Sequence, residues 1–506
     1  MKSRVVGEEI EWGGGCRLAP GGPWLPVGDV FDKIIEEAFL HYEHSDKTSG
    51  IFLPNGARVY HETTGRHLET ASPECSSARE AVKLDKWSEA FVCWVAKIMK
   101  EKHDTDVVFY KKNTDGKLDN DATRGCHENY FSEKIFGEWL KNSDNILRNS
   151  ITAHTPASID PEIDYFILFL ITRQILTGAG GVMLYSLKNG KDVYEISPRT
   201  NYIDAIITVV STSSSSVGRP IIHMKKEALS HDDQYFRNHL ILSDANMADL
   251  SIFLKFGTTS AVIEMLEENF WDRRLCLYDT LEAPKLLKAI SRDLTLNNVP
   301  IRLRDGKNYT ALQIQEKFYR NWRRYLKYTN QGGEKTEIAE KWQEILSRLK
   351  VDDERLYSQL DWKIKMRLIK DFMDKKGLPL NHEKVINLDN VYHSPDPELS
   401  FYYRLKNRPG AEFESLVDEG EIFEADKTPP ENRAKLRGYL KKLFDELDLV
   451  SIVNWEWVTF KLNAFVTEYK INMVDPRLSS VLSLKLPINA ASISHLNNLR
   501  PGALVI

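Results

Sequence analysis

The sequence lacks most of the features that quickly assign a chain to a class. Its 506 residues hold five cysteines (Cys16, Cys75, Cys93, Cys126 and Cys276), odd in number, scattered and never in a CxxC pair. Neither a disulfide framework nor a cysteine zinc site is encoded, and such usage suits a reduced cytoplasm. Long apolar runs are missing too. The most apolar stretch, Tyr165 to Thr172, stops at Arg173, far short of the roughly 20 residues that span a bilayer. The N-terminus passes from Arg4 into Glu8 and Glu9 without the apolar core of a signal peptide. A strong charge of one sign is also absent, and a formal net charge of -5 argues against general nucleic-acid binding. A cytoplasmic protein with no membrane and no nucleic-acid partner is expected.

Absent motifs remove whole chemistries. No GxxxxGK[ST] exists, so any nucleotide must be held by something other than a P-loop. Gly178-Ala179-Gly180-Gly181 fits neither that motif nor the dinucleotide fingerprint. His127-Glu128 has no second histidine at HExxH spacing, which disfavours a zinc protease, and no GxSxG suggests a serine hydrolase. The chain carries no internal repeat.

What is present is a large globular composition, 42% hydrophobic and 10% aromatic, enough for a sizeable core. Alternation over Arg4 to Trp12 predicts a strand, and apolar spacing over Val27 to His41 a helix. Two short strands are expected around the Asn55-Gly56 turn between Ile51 and Glu62. Ser76 to Lys102 reads as a helix and Val107 to Lys112 as a strand. Another helix covers Phe166 to Leu176 with Gly178 as its C-cap. Strand signals surround Ser197-Pro198-Arg199. Beyond Asp244 the pattern turns helical. There Ala311 to Tyr328 places Ile314, Phe318, Trp322 and Leu326 on one face and Lys317, Arg320, Arg323, Arg324 and Lys327 on the other. That basic face reads either as a solvated surface or as a docking surface for an acidic partner. Ser211 to Ser216 is a serine-rich loop. Thr428-Pro429-Pro430 looks like an N-cap and prolines entering a helix to Leu447. This order predicts an α+β fold with a largely antiparallel sheet, divided into residues 1–425 and a small α+β domain at 426–506.

Three clusters could carry chemistry. A period of two puts Glu9 and Glu11 on one strand face, where like charges are costly unless a cation sits between them. Paired surface glutamates on an edge strand give the same pattern. The same period aligns Arg58, Tyr60 and Glu62, a cation, a phenol and a carboxylate, with His67, Glu69 and Ser72 following. That set is odd for a core and sensible for a site handling phosphates, metal and a proton. Gly125-Cys126-His127-Glu128-Asn129-Tyr130 adds a third run of metal-capable side chains.

Together these stretches resemble one family, the Pup ligases (proteasome accessory factor A) and the related Pup deamidase-depupylases. The resemblance runs in order through Gly7 to Gly13, Asn55 to Tyr60, Gly125 to Tyr130, Thr172-Arg173-Gln174, Arg219-Pro220-Ile221-Ile222, Asp244 to Ala248, Lys255 to Thr258, Ala311 to Gln315, Asp361-Trp362, Pro429-Pro430, Arg433, Arg437-Gly438 and Asn454-Trp455. It implies a glutamine-synthetase-like catalytic domain whose curved antiparallel sheet cradles ATP. It also implies magnesium ligands at Glu9, Tyr60 and Glu69, and ATP contacts at Arg58, Ser72 and Trp455. Glu62 falls where the family has its catalytic aspartate. The implied reaction joins the terminal glutamate side chain of a small acidic Pup-like modifier to lysines of target proteins, through a glutamyl phosphate. The alternatives are a deamidase or isopeptidase acting on the same modifier, or a non-catalytic binder. The short segment between His41 and Ile51, where the deamidase branch carries an insertion, favours the ligase. The sequence departs from the family at Glu62, in a loop one residue longer before Glu69, at Ser72 for threonine, at Trp12, and in Lys225-Lys226-Glu227-Ala228-Leu229, which keeps only Glu227.

Overall fold

The N-terminal strand signal becomes one long strand, β1 (Val6–Arg17), and the fold grows outward from it. The computed structural model describes residues 4–19, 21–42, 50–62, 67–118, 123–133, 160–188, 190–208, 218–224, 235–446, 450–461 and 468–479. The Ser211 to Ser216 loop and Lys225 to Leu229 lie outside them.

On one side of β1 stand β4 (His67–Ala71), β3 (Arg58–Glu62) and β2 (Ile51–Phe52). On the other stand β6 (Cys126–Ser132), β11 (Phe236–Leu240), β10 (Arg219–His223) and β9 (Ile203–Thr208), while β5 (Asp106–Tyr110) pairs with the second half of β1. The pairings are antiparallel except β9 with β10, which run parallel, so the sheet is mixed at one end. Two hairpins complete the large unit, β7 (Gly181–Met183) with β8 (Val193–Glu195), and β12 (Ile301–Arg302) with β13 (Asn308–Tyr309).

Alternation along β1 sorts its side chains. Val6, Ile10 and Trp12 join the main core with helix α2 (Ala78–His103), whereas Glu9 and Glu11 stay half-buried on the opposite face. Behind the sheet, α3 (Pro161–Thr172) and α4 (Asp249–Glu267) are buried almost all round, as their continuous apolar sequence demands. The expected helix near the N-terminus is a 3-10 turn, Val27–Val30, followed by α1 (Phe31–Tyr42). Helix α5 (Ala311–Thr329) buries Ile314, Phe318, Trp322 and Leu326, and a Thr310–Gln313 capping box starts it. Among the described residues no helix is long and apolar enough to cross a membrane.

Three local expectations are corrected. Pro198–Tyr202 is a 3-10 helix rather than a strand, because Pro198 supplies no N–H and Thr200 turns back onto the Ser197 carbonyl. Gly178 does cap the one-turn helix Gln174–Thr177 that follows α3, but in an extended conformation (φ -67°, ψ 140°) rather than a left-handed one. The C-terminal helix, α6, starts at Arg433 and runs to Glu446. Its first turn is held by Asn432, whose Oδ1 accepts from Ala434 N at 2.9 Å, and Thr428 lies outside it.

Helix α6 packs on β14 (Val450–Val453), β15 (Trp457–Lys461) and β16 (Glu468–Asn472), and Leu436, Leu440, Phe444, Val458, Phe460, Ile471 and Met473 form a small core of their own. This unit docks through the Asn55-Gly56 turn and Glu74. Gly56 has φ +84°, and a Cβ there would stand 2.7 Å from Ala434 Cβ. Arg437 donates to Gly56 O at 2.8 Å and to Glu74 Oε2 at 2.9 Å, and Arg433 Nε donates to Glu74 Oε1 at 2.8 Å. Burial opposes charge on Glu74, but Arg437 and Arg433 outweigh it and hold the carboxyl at about 2 instead of 4.5. A carboxyl depressed in the fold stabilises above its unfolded value and loses that stabilisation as pH falls toward its folded value. The shift corresponds to about 3 kcal/mol. Glu74→Gln is therefore expected to lower the melting temperature at pH 7. Its deficit relative to wild type should shrink as pH falls from 4.5 toward 2, as thermal melts at several pH values would show.

Candidate functional site

Strand register lays the site out in rows across one face of the sheet. Glu9 pairs with Ala71 of β4 on one side and His127 of β6 on the other, and Arg58 of β3 stands opposite Ala71. Two residues along, Glu11 faces Glu69, which faces Tyr60. In the next row Glu62 faces His67, and the same register carried on reaches Gly13. Glu9, Arg58, Tyr60 and Glu69 thus share a face, as period two requires. The backbone puts Glu62 on that face too, while its side chain lies outside the described set.

The carboxylates are held by donors from β6. Asn129 Nδ2 donates to Glu9 Oε1 at 2.9 Å, and Gly125 N donates to Glu11 Oε2 at 2.6 Å. His127 Nδ1 is 3.3 Å from Glu9 Oε2, and His239 Nε2 of β11 is 3.6 Å from the same oxygen. Glu9, His127 and His239 offer ligand atoms that all lie within 4.8 Å of one another, a geometry that suits a metal ion. Both ring nitrogens of His239 are buried without a hydrogen bond. Burial, reinforced by Arg237, His127 and His223, drives the His239 imidazole well below its usual value against the pull of Glu9. At neutral pH it is a neutral imidazole, the form that binds metals. Burial also works against charge on Glu9, yet the carboxyl sits well below the usual range. The His239 and His127 rings draw it down most, then the Arg237 guanidinium, and Asn129 donates to it as well. Tyr60 moves the other way. Burial and then the Glu69 and Glu9 carboxylates push its phenol well above 10, so it stays protonated.

A cleft opens at the Val5–Gly7 end of β1. It is open to solvent and is lined by residues that include Gly7, Glu9, Ser72, Asn129, Arg237, Arg433 and Trp455. Ser72 Oγ accepts from Glu8 N at 2.9 Å and donates to Pro73 O at 3.0 Å, which fixes that wall. Trp455 comes from the C-terminal unit and meets the Phe52 ring edge-on at 4.9 Å. Arg58 is not among the lining residues. Its guanidinium lies 5.0 Å from the Tyr60 ring centroid and 5.5 Å from that of Phe52.

Sequence reasoning did not single out His239, Arg237 or Arg199 as site residues. Arg199 lies close enough to Glu11 to feel its charge, and its guanidinium is pushed down to about 10 by burial and by Arg219. None of them had a legible signal: the stretch around His239 (Tyr235 to Leu242) does not alternate, and nothing in it says which strand it joins.

Comparisons with known proteins show which family the chain belongs to. The sequence profile of the family described as "Pup-ligase protein" matches residues 29–459. The chain is 31% identical to the Pup--protein ligase of Acidimicrobium ferrooxidans, over 92% of this chain and 93% of that one. It is 30% identical to the Pup--protein ligase of Kineococcus radiotolerans, over 92% and 94%. Among solved structures it is similar to the ligase PafA in complex with Pup (TM-score 0.77, 26% identity, 99% of this chain and 92% of that one). It is also similar to PafA in complex with ADP (TM-score 0.69, 26% identity, 92% and 93%). A family match over residues 29–459, with relatives 31% and 30% identical across 92% of the chain, leaves one conclusion: this chain belongs to the Pup-ligase family.

Proposed function

We propose that the chain is an ATP-dependent carboxylate-amine ligase acting on a Pup-like small acidic modifier. It joins the side-chain carboxylate of the modifier's terminal glutamate to lysines of target proteins. The observation that carries this reading is the crowding of Glu9, Glu11 and Glu69 on one sheet face beside an open cleft, in a chain whose relatives are named Pup--protein ligases. The neighbours captured with Pup and with ADP support the same partner and nucleotide.

In this reading ATP lies in the cleft against Ser72 and Trp455, with Arg58 reaching its phosphates. A carboxylate is a poor electrophile, so the terminal glutamate is first phosphorylated and the lysine amine then displaces phosphate. Magnesium would be held by Glu9, Tyr60 and Glu69, and when bound it supplies positive charge to the phosphoryl oxygens. The Glu9 and Glu69 carboxylates fit, since charged oxygens are what a hard cation takes, while the Tyr60 phenol, kept protonated, would offer only a neutral oxygen. Glu62, at the end of β3 that shares a row with His67 and Gly13, takes the proton from the attacking lysine. Residues 1–425 form the catalytic domain and 426–506 the small domain that carries Trp455, a division supported by the separate apolar cluster under α6. A cytoplasmic location belongs to the same reading, supported by five cysteines that form no disulfide.

With ATP, magnesium and a modifier ending in glutamate, the purified chain should consume ATP and form a lysine-linked conjugate. Deamidation of the same modifier ending in glutamine, without stoichiometric ATP turnover, would overturn the ligase reading. Glu9→Ala should abolish magnesium-dependent ATP binding in calorimetry while the circular dichroism stays that of wild type. Glu62→Gln should slow conjugation by about 10²–10⁴-fold at saturating ATP. Glu62→Asp should fall between wild type and Glu62→Gln, because the longer loop before Glu69 suits the longer side chain. Wild-type rates in Glu62→Gln would remove Glu62 from the mechanism.

A further inference from the structure

The face that carries the carboxylates continues past Glu11 to a second opening at the other end of β1. There the strand reads Gly13-Gly14-Gly15, and the opening is lined by His67, Trp24, Tyr110, Lys112 and Arg124 together with these glycines. Without side chains the strand offers a bare floor. A Cβ at Gly13 would stand 2.9 Å from Arg124 Nε, so Arg124 lies directly over the strand on the face shared with Glu9 and Glu11. The backbone on either side is fixed. Arg124 N donates to Asn113 O at 2.7 Å, Asn113 Nδ2 donates to Arg124 O at 3.0 Å, and the next residue, Gly125, donates to Glu11.

The guanidinium is only partly used. Nη1 binds Asp115 Oδ1 at 2.9 Å, and Asp115 is 46% exposed, so water competes for that contact. Nε is buried and makes no hydrogen bond among the described residues. Nε and Nη2 form the edge of a guanidinium that meets a carboxylate with two parallel hydrogen bonds. An arginine held over a glycine floor, with its Nε buried and unmatched, is built to receive an anion.

We propose that Arg124 binds the α-carboxylate of the modifier's terminal glutamate, an inference that rests on the ligase reading above. A terminal glutamate carries two carboxylates, and only the side-chain group is to be activated. The two carboxyl carbons of an extended glutamate are roughly 5 Å apart, four carbon-carbon bonds in zigzag. Two strand residues, Glu11 to Gly13, span about 6.8 Å. A glutamate whose side-chain carboxylate lies beside Glu11 therefore brings its α-carboxylate to within about 2 Å of the Gly13 row along the strand, a gap that a hydrogen bond from Arg124 spans. Glu62 and His67 occupy the opposite side of that row, where the acceptor lysine has to arrive. Arg124 thus selects which carboxylate faces the nucleotide and holds the modifier's end in register.

The test compares a modifier ending in free glutamate with one ending in glutamate α-carboxamide, which keeps the side-chain carboxylate and removes the other charge. Conjugation by the full chain is measured with ATP and magnesium for wild type, Arg124→Ala and Arg124→Lys. For wild type, amidation should raise KM for the modifier by about ten- to a hundredfold, the worth of a charge-assisted pair, with a smaller change in kcat. Arg124→Ala should show that raised KM with the free modifier and no further response to amidation, and Arg124→Lys should recover part of it. ATP affinity by calorimetry should match wild type in both variants, which also reports that they fold. Equal sensitivity to amidation in wild type and Arg124→Ala would place the α-carboxylate elsewhere and overturn the assignment. An absence of conjugate from wild type with either modifier would instead overturn the ligase reading, and this inference with it.

Discussion

Like charge on one pleated face is the constraint from which the rest of the molecule follows. Glu11 and Glu69 are direct cross-strand partners, and Glu9 is two residues along. Opposite residues on an antiparallel pair have Cβ atoms about 5 Å apart, and two like charges at that separation repel by about 3 kcal/mol at an effective dielectric of about 20. The protein tolerates this at the centre of its largest sheet because the rest of the fold holds the strands in place. The same strand solves the opposite problem on its other face. Glu8 is buried there against Lys255 at 3.1 Å, and although burial opposes its charge, Lys255 and Lys111 hold its carboxyl at about 2. One face of β1 is electrostatically closed by the protein itself, and the other stays open to the cleft.

Openness at the front requires rigidity at the back. Arg173 braces Glu128 of β6, and α3 and α4 bury nearly every side chain behind the sheet. Glu128 is the neighbour of His127, so the ion pair that fixes one side of β6 also aims the histidine on the other. The C-terminal unit is tied on by a similar device, two guanidiniums on one buried carboxylate at Glu74. That contact brings Trp455 to the cleft wall, far along the chain from the strand that floors it.

The two ends of β1 differ in kind, and the difference gives the face a direction. At Val5–Gly7 the cleft is walled by Ser72, Asn129, Arg237 and Trp455, a mixed polar and aromatic lining suited to a nucleotide. At Gly13–Gly15 the strand itself is bare and cations stand around it. The carboxylates lie between, so under the proposed reading a nucleotide and a modifier carboxylate arriving from opposite ends would meet over Glu9 and Glu11 without either having to pass the other.

Much of this was legible in the chain because a strand has only one freedom in where alternate side chains go. Period two placed Glu9 with Glu11, and Arg58 with Tyr60 and Glu62, before any pairing was known, and helical spacing located α2 and α5 to within a few residues. Local chemistry was less decisive where two signals competed. Thr428 and the prolines looked like a helix start, yet Asn432 caps the helix, because its side chain reaches the first free N–H groups. Around Pro198 the apolar signals suggested a strand, while the proline and Thr200 closed a tight turn. Wholly illegible was the juxtaposition of strands. His239 reaches Glu9 only because β11 pairs with β6 and β6 with β1, and Arg124 overlies Gly13 only because the Asn113 contacts hold it there. Sequence by itself determined which residues share a face, since that depends on backbone geometry within one strand. Tertiary structure alone decided which faces meet, since register between strands is settled by the packing of the whole core.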